Sequence, residues 1–273
     1  MTLKAMYNTL ASQYATADCF GSITDSHSCA IAQITQENLG KRAHYKVLDF
    51  GVGDGAFLKK LEHHMPEADF TGIDVSDEML KYASEALSLT AIEASAIDAS
   101  QYLPLHSQDL VLAHFINAYV PIDALFKQAN LLTRSNGYFS LITTTYDSFP
   151  MAQQHLAEFI TKESLLSCIV GHYYKAVVKN TTVAGSENEL LNAFDKHQFE
   201  VIEHQRIRIP ITLNTIDELA MFGIEGTWFL NSLSIKMLPK NLLIDRMKRV
   251  FSKIFTFPYH DTHVIDVILA KKK

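Results

Sequence analysis

The sequence predicts an α/β protein: a doubly wound, mainly parallel sheet of seven strands. Three observations carry that prediction. From Lys46 to Thr145 short apolar runs alternate with segments of helical period, the first run ends in a glycine-rich turn, and the second ends in an acidic residue. Alternation of this kind is what consecutive βαβ units produce, because a parallel strand needs a crossover helix before its neighbour.

In chain order, the buried strands are Lys46–Phe50, Phe70–Asp74, Ala91–Ala94, Asp109–Ala113 and Tyr138–Ile142. Between them Phe57, Leu58 and Leu61 recur at helical spacing, as do Met79, Leu80, Ala83 and Leu87, and then Leu125, Ala129 and Leu132. Ser76 precedes the second of these helices as its N-cap, with Asp77 and Glu78 placed to suit the positive end of the dipole. Asn136-Gly137 reads as the stop of the third helix, leading into the fifth strand. Right-handed crossovers place helices on both faces.

Beyond Thr145 the rhythm changes. The pattern predicts a helix from Ala152 to Ile169, a β-rich run from His172 to Val183, a helix from Asn188 to Lys196, a strand from Phe199 to Ile211 and a last strand from His263 to Ala270. The stretch at about 213–261 holds Trp228 and an amphipathic helix around Lys240–Phe255, and it reads as an inserted lid over the sheet's ligand edge.

Composition narrows the function. With 48% hydrophobic and 20% charged residues over 273 positions, the chain has the make-up of a globular protein with a full core, which excludes a disordered or fibrous one. Its formal charge of −6 lacks the clustered cations that neutralise a nucleic-acid backbone, so no nucleic-acid partner is expected. Cys19, Cys29 and Cys168 are an odd set without metal-type spacing, which favours a reducing cytoplasmic setting over a disulfide scaffold. The N-terminus has no basic tip with an apolar core, and no run approaches the ~18 apolar residues of a membrane span, so neither a leader nor stable membrane insertion is expected.

The chemistry concentrates in Asp49-Phe50-Gly51-Val52-Gly53-Asp54-Gly55 and Gly72-Ile73-Asp74-Val75-Ser76. Glycines at the carboxyl edge of the first strand let the backbone turn tightly and approach a ligand without Cβ obstruction. A carboxylate ending the second strand, here Asp74, can accept from both hydroxyls of a ribose. The pair points to a nucleotide-like cofactor, and two classes fit. Gly51, Gly53 and Ala56 satisfy the dinucleotide pattern G-x-G-x-x-A, which keeps an NAD(P)-dependent oxidoreductase in play. Against it, Asp49 and Asp54 place negative charge where a pyrophosphate would sit, whereas a cofactor carrying an ammonium tolerates them.

These two segments resemble the class I, Rossmann-like S-adenosylmethionine-dependent methyltransferases of small-molecule type. Ile97-Asp98-Ala99, Leu103-Pro104-Leu105 and Gln108-Asp109-Leu110-Val111 are similar to that family's third acidic position, its Leu-Pro step and its fourth strand, and Leu132, Asn136 and Gly137 match its punctuation before the fifth. The resemblance implies an antiparallel last strand, an N-terminal helical cap over residues 1–43 and a catalytic domain over 44–273. It implies S-adenosyl-L-methionine as cofactor, with Gly51, Gly53 and Gly55 lining its methionine part and Asp49 meeting its ammonium. Asp74 would hold the ribose, Val75 and Met79 would flank the adenine, Asp98 and Ala99 would bond its edge, and Ala113, His114 and Phe115 would lie beside the sulfonium. Tyr7 and Tyr14 resemble residues of a capping helix.

Position alone makes His114 and His27 the candidate general bases for a hydroxyl or amine acceptor. His260-x-x-His263 and the pair His63-His64 lack convergent acidic or cysteine ligands, so no metal site is assigned. The basic amphipathic helix at Asn241–Lys253 reads as docking on its own domain, with membrane-surface contact as the other reading. The expected function is methyl transfer to the oxygen or nitrogen of a small molecule. An oxidoreductase and a cofactor-binding scaffold without catalysis are the alternatives.

Overall fold

A computed structural model of the chain describes residues 3–12, 18, 20–180, 182–225 and 240–273. The strands are β1 (Lys46–Phe50), β2 (Asp69–Asp74), β3 (Thr90–Glu93), β4 (Gln108–His114), β5 (Thr133–Thr143), β6 (Phe199–Leu213) and β7 (Tyr259–Lys272). They form one seven-stranded sheet in the order β3-β2-β1-β4-β5-β7-β6. β1 to β5 pair in parallel, and β7 runs antiparallel to both β5 and β6, so the doubly wound sheet with an antiparallel last strand is present as the sequence predicts.

The helices are α1 (Leu3–Leu10), α2 (Ser22–Gln36), α3 (Ala56–Glu62), α4 (Asp77–Ala86), α5 (Ile122–Leu132), α6 (Pro150–Ile160), α7 (Leu165–Asn180), α8 (Glu187–Lys196), α9 (Ile216–Ala220) and α10 (Lys240–Phe251). Side chains alternate across each strand, so the sheet feeds two apolar layers. Val47, Leu110, Leu112, Ile142, Val267 and Leu269 pack with Ala30, Ile34, Phe57, Leu58 and Leu61 of α2 and α3. Leu48, Phe50, Val111, Phe139, Leu141 and Ile268 pack with Leu125, Phe126, Leu190 and Phe194 of α5 and α8, where Phe126 meets Phe139 and Phe194 edge-on at 5.2 and 4.8 Å. No described helix is long and apolar enough to cross a membrane.

Local chemistry sets the element ends. Ser76 Oγ accepts from Met79 N at 3.1 Å and opens α4, the N-cap its sequence predicts. Asp261 on β7 accepts from Met151 N and Ala152 N at 3.1 and 2.8 Å, so the start of α6 is capped from another element. The Tyr259 hydroxyl donates to the same carboxylate. α10 docks through Met247, buried against Ala220 of α9, with Lys248 paired to Asp217.

Three sequence expectations need correction. The β-rich run His172–Val183 is largely helix: α7 runs from Leu165 to Asn180. Its buried and half-buried positions, Leu166, Ser167, Val170, Gly171 and Tyr174, follow the helical period, and a Cβ on Gly171 would lie 2.9 Å from Ile160 of α6. The single helix Ala152–Ile169 is accordingly two, because Ser164 Oγ accepts from Ser167 N at 3.0 Å and starts a new one. Finally, Asn136-Gly137 is not a helix stop. α5 passes directly into β5 at Thr133, and Asn136, at φ 59°, forms an irregularity inside the strand.

Candidate functional site

Parallel strands carry ligands at their carboxyl ends, and the structure places the two sequence segments side by side there. Gly51 pairs its N–H with Ile73 O at 2.7 Å, so the glycine turn of β1 is laced to the end of β2. Gly51 (φ 71°) and Gly55 (φ 78°) both occupy the left-handed region. A Cβ on Gly51 would stand 2.9 Å from Ile116 Cδ1, and one on Gly55 would stand 3.0 Å from the backbone of Ala83 in α4. Glycine is required at both for conformation and for close approach.

Asp74 is oriented by that turn. Its Oδ2 accepts from Gly53 N at 3.0 Å and its Oδ1 from Ser76 N at 2.9 Å, which leaves lone pairs on both oxygens for a diol. Burial raises its pKa, while those backbone donors pull it down. Asp49, two residues before Gly51, is 3% exposed and its Oδ1 has no partner. Burial first, and then the charge of Asp74, push its pKa up to about 8. Neither carboxylate forms an ion pair with a Lys or Arg among the described residues. The turn therefore presents two adjacent acids and a cradle open to a cation.

Above it lies a cavity of about 120 Å³, lined by Gly51, Gly53, Asp74, Val75, Met79, His114 and Phe115, all named from the sequence, and closed from above by Leu3 and Tyr7 of α1. Its far wall is Ala94-Ser95-Ala96, straight after β3, with Ile116, Tyr119 and Val120 after β4. The sequence reading missed these residues, although the same carboxyl-edge rule that selected Gly51 and Asp74 applies to the ends of β3 and β4. Tyr7 packs edge-on to Tyr119 at 5.5 Å, and α1 is tied down by Asn8 Nδ2 to Asp77 and by Ser76 Oγ to Asn8. The volume is below the ~300 Å³ of ordinary ligand pockets.

Other sequence-named residues stand apart from this cavity. Asp98 lies on the short 3-10 turn Ala96–Gln101, half-buried and accepting from Gln101 Nε2 at 3.1 Å, while Ala99 and Ala113 are packed in the core. Gly55 and Asp49 are not among the lining residues, and Tyr14 and Trp228 fall outside the described residues. A second hollow, lined by His44, Glu67, Asp69 and Thr90, is larger, but it opens at the amino ends of β2 and β3, away from every motif above.

His114 ends β4 with its Nε2 3.1 Å from Ser140 Oγ, and the following Phe115 is held at φ 56°. The ring of His27, from α2, lies 6.0 Å from that of His114, and both pack edge-on to Phe57, at 5.0 and 4.2 Å. Burial first, then Lys60, lowers the pKa of His27 to about 3. Burial, then His27, holds His114 well below the ordinary imidazole value. Burial therefore disfavours the charged form of both rings.

Comparison with known proteins agrees with the geometry. Residues 47–137 match a family described as a methyltransferase domain. A malonyl-[acyl-carrier protein] O-methyltransferase of Legionella pneumophila is 25% identical over 146 residues, covering 49% of this chain, which spans about half (51%) of that relative's length. Among solved structures, the YcgJ protein of Bacillus subtilis superposes with a TM-score of 0.55 at 15% identity, covering 90% of this chain and 99% of its own. A provisionally assigned methyltransferase of Bacillus halodurans C-125 does so at 0.56 and 14%, covering 89% and 98%. At such identities the superpositions speak for the fold. Residues 47–137 therefore match a methyltransferase-domain model, and the chain around them shares the fold of these solved structures.

Proposed function

We propose that this protein is an S-adenosyl-L-methionine-dependent methyltransferase that acts on a small-molecule acceptor, at oxygen or nitrogen, in the cytoplasm. The observation that carries the reading is the pair at the glycine turn, Asp49 buried and Asp74 half-buried, with no Lys or Arg paired to either among the described residues. A nucleoside with an amino-acid tail satisfies both, its ribose hydroxyls donating to Asp74 and its ammonium meeting Asp49. A dinucleotide fits less well, because its pyrophosphate would face Asp49 and Asp54, while Asp74 would serve the ribose of either cofactor. Five strands in parallel with an antiparallel β7 also depart from the all-parallel dinucleotide order.

The cofactor supplies a methyl already made electrophilic by its sulfonium, so the protein's part is alignment and exclusion of water. In this reading Gly51 and Gly53 let the backbone approach the methionine portion, Val75 and Met79 hold the adenine from two sides, and Asp98 and Ala99 come to its edge as the 3-10 turn adjusts. Ala113 supports the segment His114-Phe115, which lies beside the reacting centre, and Tyr7 with Tyr14 covers the pocket. Residues 1–43 act as cap and 213–261 as the lid that selects the acceptor.

Calorimetric titration with S-adenosylmethionine, S-adenosylhomocysteine and NAD tests the reading. Saturable binding of the first two alone is expected, with at least a hundredfold loss in Asp74→Ala. Binding of NAD instead would overturn it, and binding without turnover on a broad acceptor panel would leave a scaffold.

A further inference from the structure

We infer that α10 is a peripheral contact surface for an anionic lipid bilayer, with Arg246, Arg249 and Lys253 at the headgroups. The helix docks by one side only: Met247 is buried against Ala220, with Ile244 and Phe251 half-buried beside it. Ser252 N and Lys253 N bond back to Lys248 O and Val250 O, so the winding runs on through Lys253. At about 100° per residue, Arg246, Arg249 and Lys253 fall within about 60° of one another, on the side opposite the docked one. All three are exposed, and none is in an ion pair or a side-chain hydrogen bond among the described residues, whereas Lys248 on the flank is paired with Asp217 at 2.5 Å. Asp245 is the only acid in α10.

The fold puts this stripe where a flat surface can reach it. β5 meets β7 no further than Thr143 and Asp266, whereas β6 and β7 stay paired as far as Leu213 and Tyr259, seven residues beyond. At ~3.3 Å per residue that ribbon extends ~23 Å past the end of β5. α9 follows it on β6 and α10 precedes it on β7, so both stand on the carboxyl-edge side of the sheet, as the glycine turn does. Two observations select lipid. The chain's formal charge is −6, so three unpaired cations are a local exception, and an anionic surface that attracts them repels the rest and fixes one orientation. The cations also have apolar company: Met221, next to Ala220 under α10, is 60% exposed, and Val250 is half-buried at the stripe's edge. Cations flanked by accessible apolar side chains are what an interfacial helix offers, charge to the headgroups and apolar atoms to the acyl boundary.

The test sediments the full-length protein with vesicles of phosphatidylcholine alone and of phosphatidylcholine with one-third phosphatidylglycerol. Each cation at an anionic leaflet contributes about fivefold, so the second vesicles are expected to bind on the order of a hundredfold more tightly, an advantage lost at about 0.5 M salt. The triple variant Arg246→Gln, Arg249→Gln, Lys253→Gln is expected to erase it with the thermal midpoint unchanged. The triple variant Lys41→Gln, Lys81→Gln, Lys127→Gln, which removes as much charge from exposed positions elsewhere, is expected to keep it. Met221→Ser changes no charge and should weaken binding to the anionic vesicles several-fold; no effect would overturn its contact with the acyl boundary. Binding indifferent to lipid charge, no binding to either vesicle, or equal losses in the two triple variants would overturn the proposal. Poly-L-glutamate is titrated in parallel: if it binds through the stripe while anionic vesicles do not, the surface belongs to an acidic protein and the lipid assignment falls.

Discussion

Replacing Asp49 by Asn removes an ionisable carboxyl from the floor of the site at almost constant shape, and its consequences can be worked from the geometry. The folded protein holds the Asp49 proton up to a pKa of about 8, against an ordinary value of 3.8. Between those limits the folded state carries one proton more than the unfolded chain, so stability falls as pH rises, by about 1.4 kcal/mol per unit. From pH 4 to pH 7 that amounts to about 4 kcal/mol on the ligand-free protein; below pH 4 and above pH 8 the slope vanishes. Urea unfolding of wild type and Asp49→Asn across pH 4.5–8 reads it directly, since other groups titrate alike in both. The difference in stability between them should widen steadily with pH in favour of the variant. Parallel curves would refute the claim that this carboxyl is buried without a counter-ion. The same reasoning applies to binding. If the ligand's ammonium takes the ionised form, S-adenosylhomocysteine should expel close to one proton at pH 7, seen as a dependence of the calorimetric heat on buffer ionisation enthalpy. Asp49→Asn should bind more weakly and expel none.

Other expectations follow from particular contacts. Gly51→Val puts a branched side chain at φ 71° against Ile116 and should cost about 2 kcal/mol or more in thermal unfolding while abolishing ligand binding. Asp261→Ala removes the cap of α6 together with the partner of the Tyr259 hydroxyl, and a loss of about 2 kcal/mol in urea unfolding is expected with binding intact. Tyr7→Ala opens the wall formed by α1 and should raise both association and dissociation rates in stopped-flow fluorescence, without a matching change in affinity. His114→Gln should lower kcat more than cofactor affinity; equal losses would place the ring in the binding site alone.

The parts of the fold legible in the sequence are those that local chemistry dictates. Strands β1 to β4 are short runs close to their predicted positions, Ser76 announces α4, and the left-handed positions at Gly51 and Gly55 admit little besides glycine. Asp74 was readable because a carboxylate that ends the second strand falls at the sheet's carboxyl edge. α7 was not, since its valines and tyrosines favour strands on a scale that is itself set by context, and packing of Gly171 against Ile160 decides the outcome. Similarly, the cap of α6 comes from Asp261, more than a hundred residues away in the chain, which no local pattern reveals. Within the site, Ala94-Ser95-Ala96 escaped notice because small residues carry no chemical signature; what matters is the strand they follow. The lowered pKa of His27 and His114 also depends on burial that only the packed fold supplies.

The most direct test of the account is a crystal structure with S-adenosylhomocysteine bound. The ribose hydroxyls should lie within hydrogen-bond distance of Asp74, the ammonium beside Asp49, and the sulfur next to His114. A ligand bound elsewhere, or one whose ammonium leaves Asp49 without a partner, would contradict it.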